Sequence, residues 1–289
     1  MTIYLETACI GNAIIFSMDK KKKRKLFFLG IVAINLIIAL LFEIPVAETV
    51  DVPNRMPGRS VKCVLITDLH SCYYGDKQST LVDMVKEQDP DLIFLCGDIF
   101  DDKKDNVNTK IFLNQAVQIC PCYYVSGNHE YWSNEYDSFF AYLNLIGVHS
   151  LRGETETILL NGKRISISGV DDPDFVPNDE WNEQLLEASY GVPDDAYSIL
   201  LTHRPELAEV YTAYDFDLIL AGHAHCGQVR IPFLNVGLYT PNQGFFAKYV
   251  NGLYELKEGQ YMIVSRGLAR ESTPLPRYFN NPEIVVFEI

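Results

Sequence analysis

Beyond Lys25 the chain has no basic stripe: residues 44–289 hold 18 basic against 35 acidic side chains. A body of that charge repels polyanions, so no nucleic-acid partner is expected, while bound metal cations would partly offset it. A disulfide framework is missing too. The seven cysteines are an odd number without framework spacing in a chain of 289 residues, which excludes a stapled mini-protein and points to free thiols. Cys120-Pro-Cys122 lacks the two-residue spacer of redox and zinc motifs. There is no internal repeat at solenoid periods and no low-complexity stretch except a lysine block, so repeat architectures are set aside. Histidine is sparse, six in all, and tryptophan sparser, two. Hydrophobic residues, at 48%, are not scarce; they suffice for one sizeable core and exclude disorder of the whole chain.

Only one apolar run is long. Residues 26 to 42, LFFLGIVAINLIIALLF, carry no charge over 17 positions and directly follow KKKKRK at 20 to 25. That is just enough to cross a membrane. No small-x-small cleavage site follows, so an uncleaved anchor over 26–43 is expected rather than a signal peptide. The positive-inside rule then keeps residues 1–25 cytoplasmic and puts everything after Glu43 outside, a single-pass protein of the cell membrane. MDKKKKRKLFF from Met18 reads as an ordinary start, and translation is expected to begin there. Residues 44–59, with three prolines and a glycine, read as a tether to a folded domain over 60–289.

Within that domain, VKCVLITD (61–68), DLIFLCGD (91–98), CYYVSGN (122–128), YSILLTH (197–203) and FDLILAGH (216–223) are apolar runs that end in polar residues. Continuous rather than alternating apolarity suits strands buried on both faces. STLVDMVKEQ, NTKIFLNQAVQI and the proline-led PELAEVYTAY between them carry helical spacing, which makes an α/β fold. RISISGVDD, QVRIPF, YMIVSRG and EIVVFEI have little helix between them and predict a second, more antiparallel sheet.

Reactive groups in α/β sheets gather beyond the carboxyl ends of the strands. The five ends are Asp68-Leu69-His70, Gly97-Asp98, Gly127-Asn128-His129-Glu130, His203 and Gly222-His223-Ala224-His225, and they collect all histidines but His149. Imidazole with carboxylate and amide oxygen is a donor set for first-row divalent metals such as manganese, iron, zinc or nickel. There are too many donors for one tetrahedral zinc. Two divalent metal ions fit the count, bridged by a carboxylate at a strand end. Cys72 and Cys226 are read as plain thiols, His149 as a surface residue, and Trp132 as the better of the two tryptophans to wall a cleft.

The order D-x-H, G-D, G-N-H-E, H, G-H-x-H resembles the calcineurin-like metallophosphoesterase superfamily over roughly residues 60 to 289, in particular its small bacterial membrane-anchored branch, which shares GVDDP (169–173) and the GQ-x-R-I-P run (227–232). The resemblance implies a two-sheet α/β/β/α sandwich. It implies that Asp68, His70 and His225 hold one ion, that Asn128, His203 and His223 hold the other, and that Asp98 bridges them. His129 would face the substrate as the catalytic acid, with Glu130 orienting it. Protein phosphatases of the superfamily read G-D-x-V-D-R-G, and Asp102 stands here in place of that arginine. The branch often reads G-H-T-H-G-G-Q at the last motif, from which Ala224 and Cys226 depart. The implied activity is hydrolysis of a phosphodiester or pyrophosphate by a metal-bridging hydroxide attacking in line, at a membrane and on a lipid-linked phosphoester. A phosphomonoesterase is the alternative, as is a non-catalytic scaffold, although a scaffold would be marked by missing ligands and none is missing.

Overall fold

The protein is described here by a computed structural model covering residues 19–53, 56–231, 236–270 and 276–289, with the side chains of 33–41 excluded. It falls into two units, 1–41 and 42–289. The described part of the first is helix α1 (Lys20–Leu41). The Asp19 carboxylate caps it by accepting from the Lys21 and Lys22 amides at 2.7 and 2.9 Å. Among the described residues no helix is long and apolar enough to cross a membrane. Much of the expected anchor lies in the excluded side chains, and the Met18 start lies outside the described residues.

The second unit runs β1 (Val46–Val50), β2 (Lys62–Ile66), α2 (Ser79–Glu87), β3 (Leu92–Cys96), α3 (Val107–Ala116), β4 (Cys122–Val125), α4 (Asn128–Trp132), α5 (Tyr136–Ile146), β5 (His149–Ser150), β6 (Thr155–Leu160) and β7 (Lys163–Gly169). It continues through α6 (Asn178–Tyr190), β8 (Tyr197–Leu201), α7 (Ala208–Tyr211) and β9 (Leu218–Ala221). Four two-residue strands follow, β10 (Arg230–Ile231), β11 (Val236–Gly237), β12 (Tyr239–Thr240) and β13 (Gly244–Phe245), before β14 (Gly252–Lys257), β15 (Gln260–Val264) and β16 (Glu283–Glu288).

Two six-stranded sheets result, in the orders β1-β16-β2-β3-β4-β5 and β14-β15-β9-β8-β7-β6. Every residue of β3 and β8 is buried, as their unbroken apolar runs require. Alternate side chains point to opposite faces. Leu65, Phe94 and Val125 of the first sheet therefore meet Ile167, Ile199 and Leu220 of the second in a central layer. The other faces are covered by helices: Val64, Ile93 and Leu95 pack with Leu81, Val85 and Phe112, while Leu200, Ile219 and Met262 pack with Trp181, Leu185 and Tyr211. The layers are helix, sheet, sheet, helix, a mixed α/β fold.

One expectation needs qualifying and two need correcting. The second sheet is the more antiparallel of the two, with two antiparallel pairings against one, but only at its edges: β15, β9, β8 and β7 run parallel, and β14 and β6 are antiparallel to their neighbours. Short turns do join β6 to β7 and β14 to β15, but the hairpin partners end up at the edges. EIVVFEI belongs to the first sheet, where β16 is antiparallel to β2 and parallel to β1. Finally, the stretch read as a tether contains β1, because its β-branched Val46, Thr49 and Val50 give the free edge of β16 a partner.

Candidate metal centre

The five polar strand ends arrive from both sheets. β2, β3 and β4 supply Asp68 with His70, Asp98, and Asn128 with His129; β8 and β9 supply His203, and His223 with His225. The chain turns sharply at each end. Asp68, His70, Asp98, His223 and His225 have φ of 52°, 48°, 54°, 63° and 45°, a left-handed region that non-glycine residues rarely enter and that costs about 1–3 kcal/mol each unless the surroundings impose it. Backbone bonds impose it here: the Asp68 amide donates to the Gly97 carbonyl and the His70 amide to the Asp98 carbonyl, both at 3.0 Å. Gly97 is needed for a second reason. A Cβ there would lie 2.4 Å from His203 Nδ1.

The side chains converge. Asp98 Oδ2 lies 3.2 Å from His203 Nε2 and 3.6 Å from His70 Nε2; Asp68 Oδ1 lies 3.5 Å from His225 Nε2 and 3.9 Å from His203 Nε2. Donor atoms of Asp68, His70 and His225 fall within 4.8 Å of one another, as do those of Asp98, His203 and His223. Asn128 is buried at the start of α4, and the amide of its neighbour His129 donates to Asp98 Oδ1 at 2.8 Å. All seven expected ligand residues and His129 thus occupy the strand ends around Asp98.

Behind them stands a set of partners that spacing did not reveal. His203 Nδ1 donates to the Cys96 carbonyl at 2.9 Å, and His70 Nδ1 faces Asp101 Oδ2 at 3.2 Å. In both rings this leaves Nε2 turned to the centre, the arrangement by which an outer hydrogen bond fixes the tautomer of a metal-ligating histidine. Glu130 does not orient His129. It is fully buried and accepts from the amides of Asp98, Ile99, Phe100 and Gly127 at 2.7–3.0 Å, clamping two loops together. The partner of His129 is Asp102, with Oδ1 2.6 Å from Nδ1. Arg204, beside His203, was also missed: its Nη1 lies 3.3 Å from His223 Nε2, and Asp172 holds its guanidinium at 2.5 and 2.7 Å. The two-residue stretches RP and DD that contain these groups look like ordinary turn chemistry in the sequence. Trp132 is half-exposed with its ring 4.9 Å from that of His129, whereas Trp181 is a core residue that donates to the Asp171 carbonyl. Cys72 and Cys226 are in no disulfide among the described residues, and His149, in β5, pairs with Glu156 of β6.

Electrostatics mark the cluster as strained without a cation. Burial disfavours a charged His203, yet Asp98 and Asp68 outweigh it and lift the imidazole to about 10; the same contest raises His70. Burial raises the Asp98 carboxyl, but His203 and His70 win and hold it well below its usual range. Burial and the neighbouring positive groups depress His223, and His225 falls to about 4, again chiefly by burial. Meanwhile His70 Nε2, His203 Nε2, His225 Nδ1 and Asn128 Oδ1 are buried with no hydrogen-bond partner. Orphaned buried donors and acceptors are costly and rare, and four at one spot, with imidazole, carboxylate and amide side chains, fit divalent metal.

The sequence comparisons agree with that fit. The family model for calcineurin-like phosphoesterase matches residues 61–227. A transmembrane protein with metallophosphoesterase domain from Bos taurus is 32% identical over 90% of this chain, which spans 62% of that protein's length. An uncharacterized metallophosphoesterase of Campylobacter jejuni is 31% identical over 88% of this chain and 71% of its own. Among solved structures, a phosphopantetheinyl hydrolase from Mycobacterium tuberculosis aligns with TM-score 0.49 and 12% identity over 73% of this chain and 91% of that one. The chain belongs to the calcineurin-like phosphoesterase family, whose members are metal-dependent phosphoester hydrolases.

A ligating imidazole must be neutral, so cation binding at pH 7 is expected to release about one proton from His203, plus a fraction from His70, and none from His223 or His225. Apparent affinity therefore rises with pH and levels off above about 10. Calorimetric titration with manganese or zinc in buffers of different ionisation enthalpy counts the protons; a count of zero removes His203 from the ligand set.

Proposed function

We propose that the chain is a dinuclear-metal-dependent hydrolase of phosphodiesters or pyrophosphates that works at a membrane surface. The observation that carries the reading is Asp98 Oδ2, one carboxylate oxygen flanked by His70 Nε2 at 3.6 Å and His203 Nε2 at 3.2 Å, each ring belonging to a different donor group. Asp68, His70 and His225 would hold one ion, Asn128, His203 and His223 the other, and Asp98 would bridge. Such a pair supplies Lewis-acid charge to phosphoryl oxygens and lowers the pKa of water to near neutrality. The rest falls to the chain's own groups. Asp102 holds His129 by Nδ1, so the opposite ring nitrogen, Nε2, is left to hand a proton to the departing alkoxide. The His129 amide, bonded to Asp98, keeps that ring in step with the bridge. Trp132 stands over His129 as one wall of the approach.

The membrane part of the proposal is supported by the basic block at 20–25, the uncharged run at 26–42 and the naming of the bovine and zebrafish relatives as transmembrane proteins. A tethered catalyst meets bilayer-borne phosphoesters at high effective concentration, which favours a lipid-linked substrate.

Three outcomes are expected. The purified chain binds two divalent ions, Asp98→Asn weakens both, and chelation abolishes turnover of bis-p-nitrophenyl phosphate, which is cleaved in preference to p-nitrophenyl phosphate; metal-independent turnover would sink the reading, and a reversed preference would make it a monoesterase. His129→Ala keeps its metal but loses about 10²–10⁴-fold in kcat/KM on alkyl esters and far less on p-nitrophenyl esters, the signature of a proton donor; equal losses on both remove that role. Alkaline carbonate washing leaves the full chain in the membrane pellet, and its release would end the anchor proposal.

A further inference from the structure

The four two-residue strands β10 to β13 belong to neither six-stranded sheet, yet backbone bonds join them into one ribbon. The Arg230 amide donates to the Tyr278 carbonyl at 3.0 Å, the Leu238 amide to the Val229 carbonyl at 2.8 Å and the Phe246 amide to the Leu238 carbonyl at 3.3 Å. The ribbon starts beside a metal donor: Asn280 Nδ2 donates to the His225 carbonyl at 2.7 Å and to the Gln228 carbonyl at 3.2 Å. Its outer surface is apolar. Leu238, Tyr239, Phe245 and Phe246 are all exposed, the two phenylalanines at 69% and 62%, and the Tyr239 and Phe245 rings meet edge to face at 5.1 Å. Two-stranded pieces this short are marginal in water, and neighbouring exposed aromatics mark a surface that meets something.

Charge and position indicate what it meets. Residues 218–254 contain no Asp or Glu, the longest such stretch in a chain that has 38 of them, and Lys248, beside the aromatics, is 71% exposed. An aromatic, acid-free and partly basic surface on an acidic body complements phospholipid headgroups, whose phosphates repel carboxylates and among which aromatic rings settle. Position agrees. Phe42, the last residue of the uncharged run 26–42, packs on Phe279 with ring centroids 5.0 Å apart. Arg270 Nη1 donates to the Glu43 carbonyl at 3.3 Å, and Asn281 Nδ2 to the Ile44 carbonyl at 3.0 Å. Phe279 directly follows Tyr278, from which the ribbon's backbone bonds start. The chain thus enters this unit at the root of the ribbon.

We infer that the ribbon is a membrane-docking surface: Leu238, Tyr239, Phe245 and Phe246 settle into the interface of a phospholipid bilayer, and Lys248 pairs with lipid phosphate. The inference rests on the proposed membrane anchorage and goes beyond it. An anchor alone leaves the domain free to turn, whereas a docked ribbon fixes its orientation, with the turn that carries His225 on the lipid side.

The test reconstitutes the metal-loaded full chain in vesicles of phosphatidylcholine and phosphatidylglycerol that contain a phospholipid with a diazirine on its acyl chain, and maps the photoadducts by mass spectrometry. Adducts are expected on 26–42 and on 238–246. Adducts confined to 26–42 overturn the docking surface and leave the anchor standing; a second copy of the chain covering the ribbon would give this pattern. Adducts on 238–246 without any on 26–42 end the anchor and keep the docking, and adducts on neither end both. The double variant Phe245→Ser, Phe246→Ser is expected to lose most of the label at 238–246. Its turnover of a vesicle-borne phosphodiester should fall about tenfold, while turnover of soluble bis-p-nitrophenyl phosphate, which reports folding, stays within about twofold of wild type. Undiminished turnover of the vesicle-borne ester overturns the inference. If the variant loses both activities alike, or wild type cleaves neither ester, the labelling of wild type decides, since it needs neither a substitution nor an activity.

Discussion

The geometry of the centre depends on one buried carboxylate. Glu130 accepts from four backbone amides, three in the loop after β3 and one in the loop after β4, and so joins the Gly97-Asp98 turn to the Gly127-Asn128-His129 turn. Burial, with Asp98 nearby, pushes the group up to about 7, which means that the clamp is sustained against its own desolvation only by those amides. Without it the Asp98 turn, at a left-handed φ of 54°, would rest on the His70 amide bond to the Asp98 carbonyl, and the bond from the His129 amide to Asp98 would lose its footing. Strained turns persist where the surroundings over-determine them. Glu130 is a large part of that over-determination.

Charge explains why the clamp is worth its desolvation. Four aspartates, Asp68, Asp98, Asp101 and Asp102, and five imidazoles, His70, His129, His203, His223 and His225, share a small space in which only Asp102, His129 and His225 keep some exposure to water. The carboxylates lift His203 to about 10 and raise His70, whereas His223 and His225 are driven to the neutral form, chiefly by burial. Carboxylates thus favour the charged form of two rings, and burial the neutral form of two others. A divalent cation at Asp98 resolves both conditions at once, because it replaces the protons as counter-charge and gives the neutral rings a Lewis acid to bind.

The sequence carried the donors but not their support. Asp68, His70, Asp98, Asn128, His203, His223 and His225 were legible because strand ends of an α/β fold place polar residues in one cleft, and because each follows an apolar run that marks the strand. Glu130 and Asp102 were mis-assigned between them, since nothing in G-N-H-E tells whether the glutamate points towards its neighbour His129 or back to the amides of another loop. That choice is made by the pairing of β3 with β4, which is a tertiary fact. The same holds for the sheets. The scarcity of helix between the later strand-like runs suggested a more antiparallel sheet, and hairpins exist, yet β15 sits parallel beside β9 because the long connection through 222–251 brings it back in that sense. Residues 46–50 became a strand only because β16, almost 240 positions later, offered an edge.

This division of labour bears on specificity. The metal donors lie on short turns locked by backbone bonds, and little in them can vary without breaking the centre. A cavity lined in part by Arg204 is built differently, from the 173–182 segment, the turn after His203 and Asn242 in the 240–244 loop, all of them outside the sheets. Loops on a rigid platform are where chemistry is adapted to a substrate. A family match therefore speaks to the class of reaction and leaves the substrate to be chosen by groups outside the sheets. Arg204 connects the two. Held by Asp172 and touching His223, it sets a fixed positive charge beside that imidazole and is one of the causes that keep it neutral, after burial and His203.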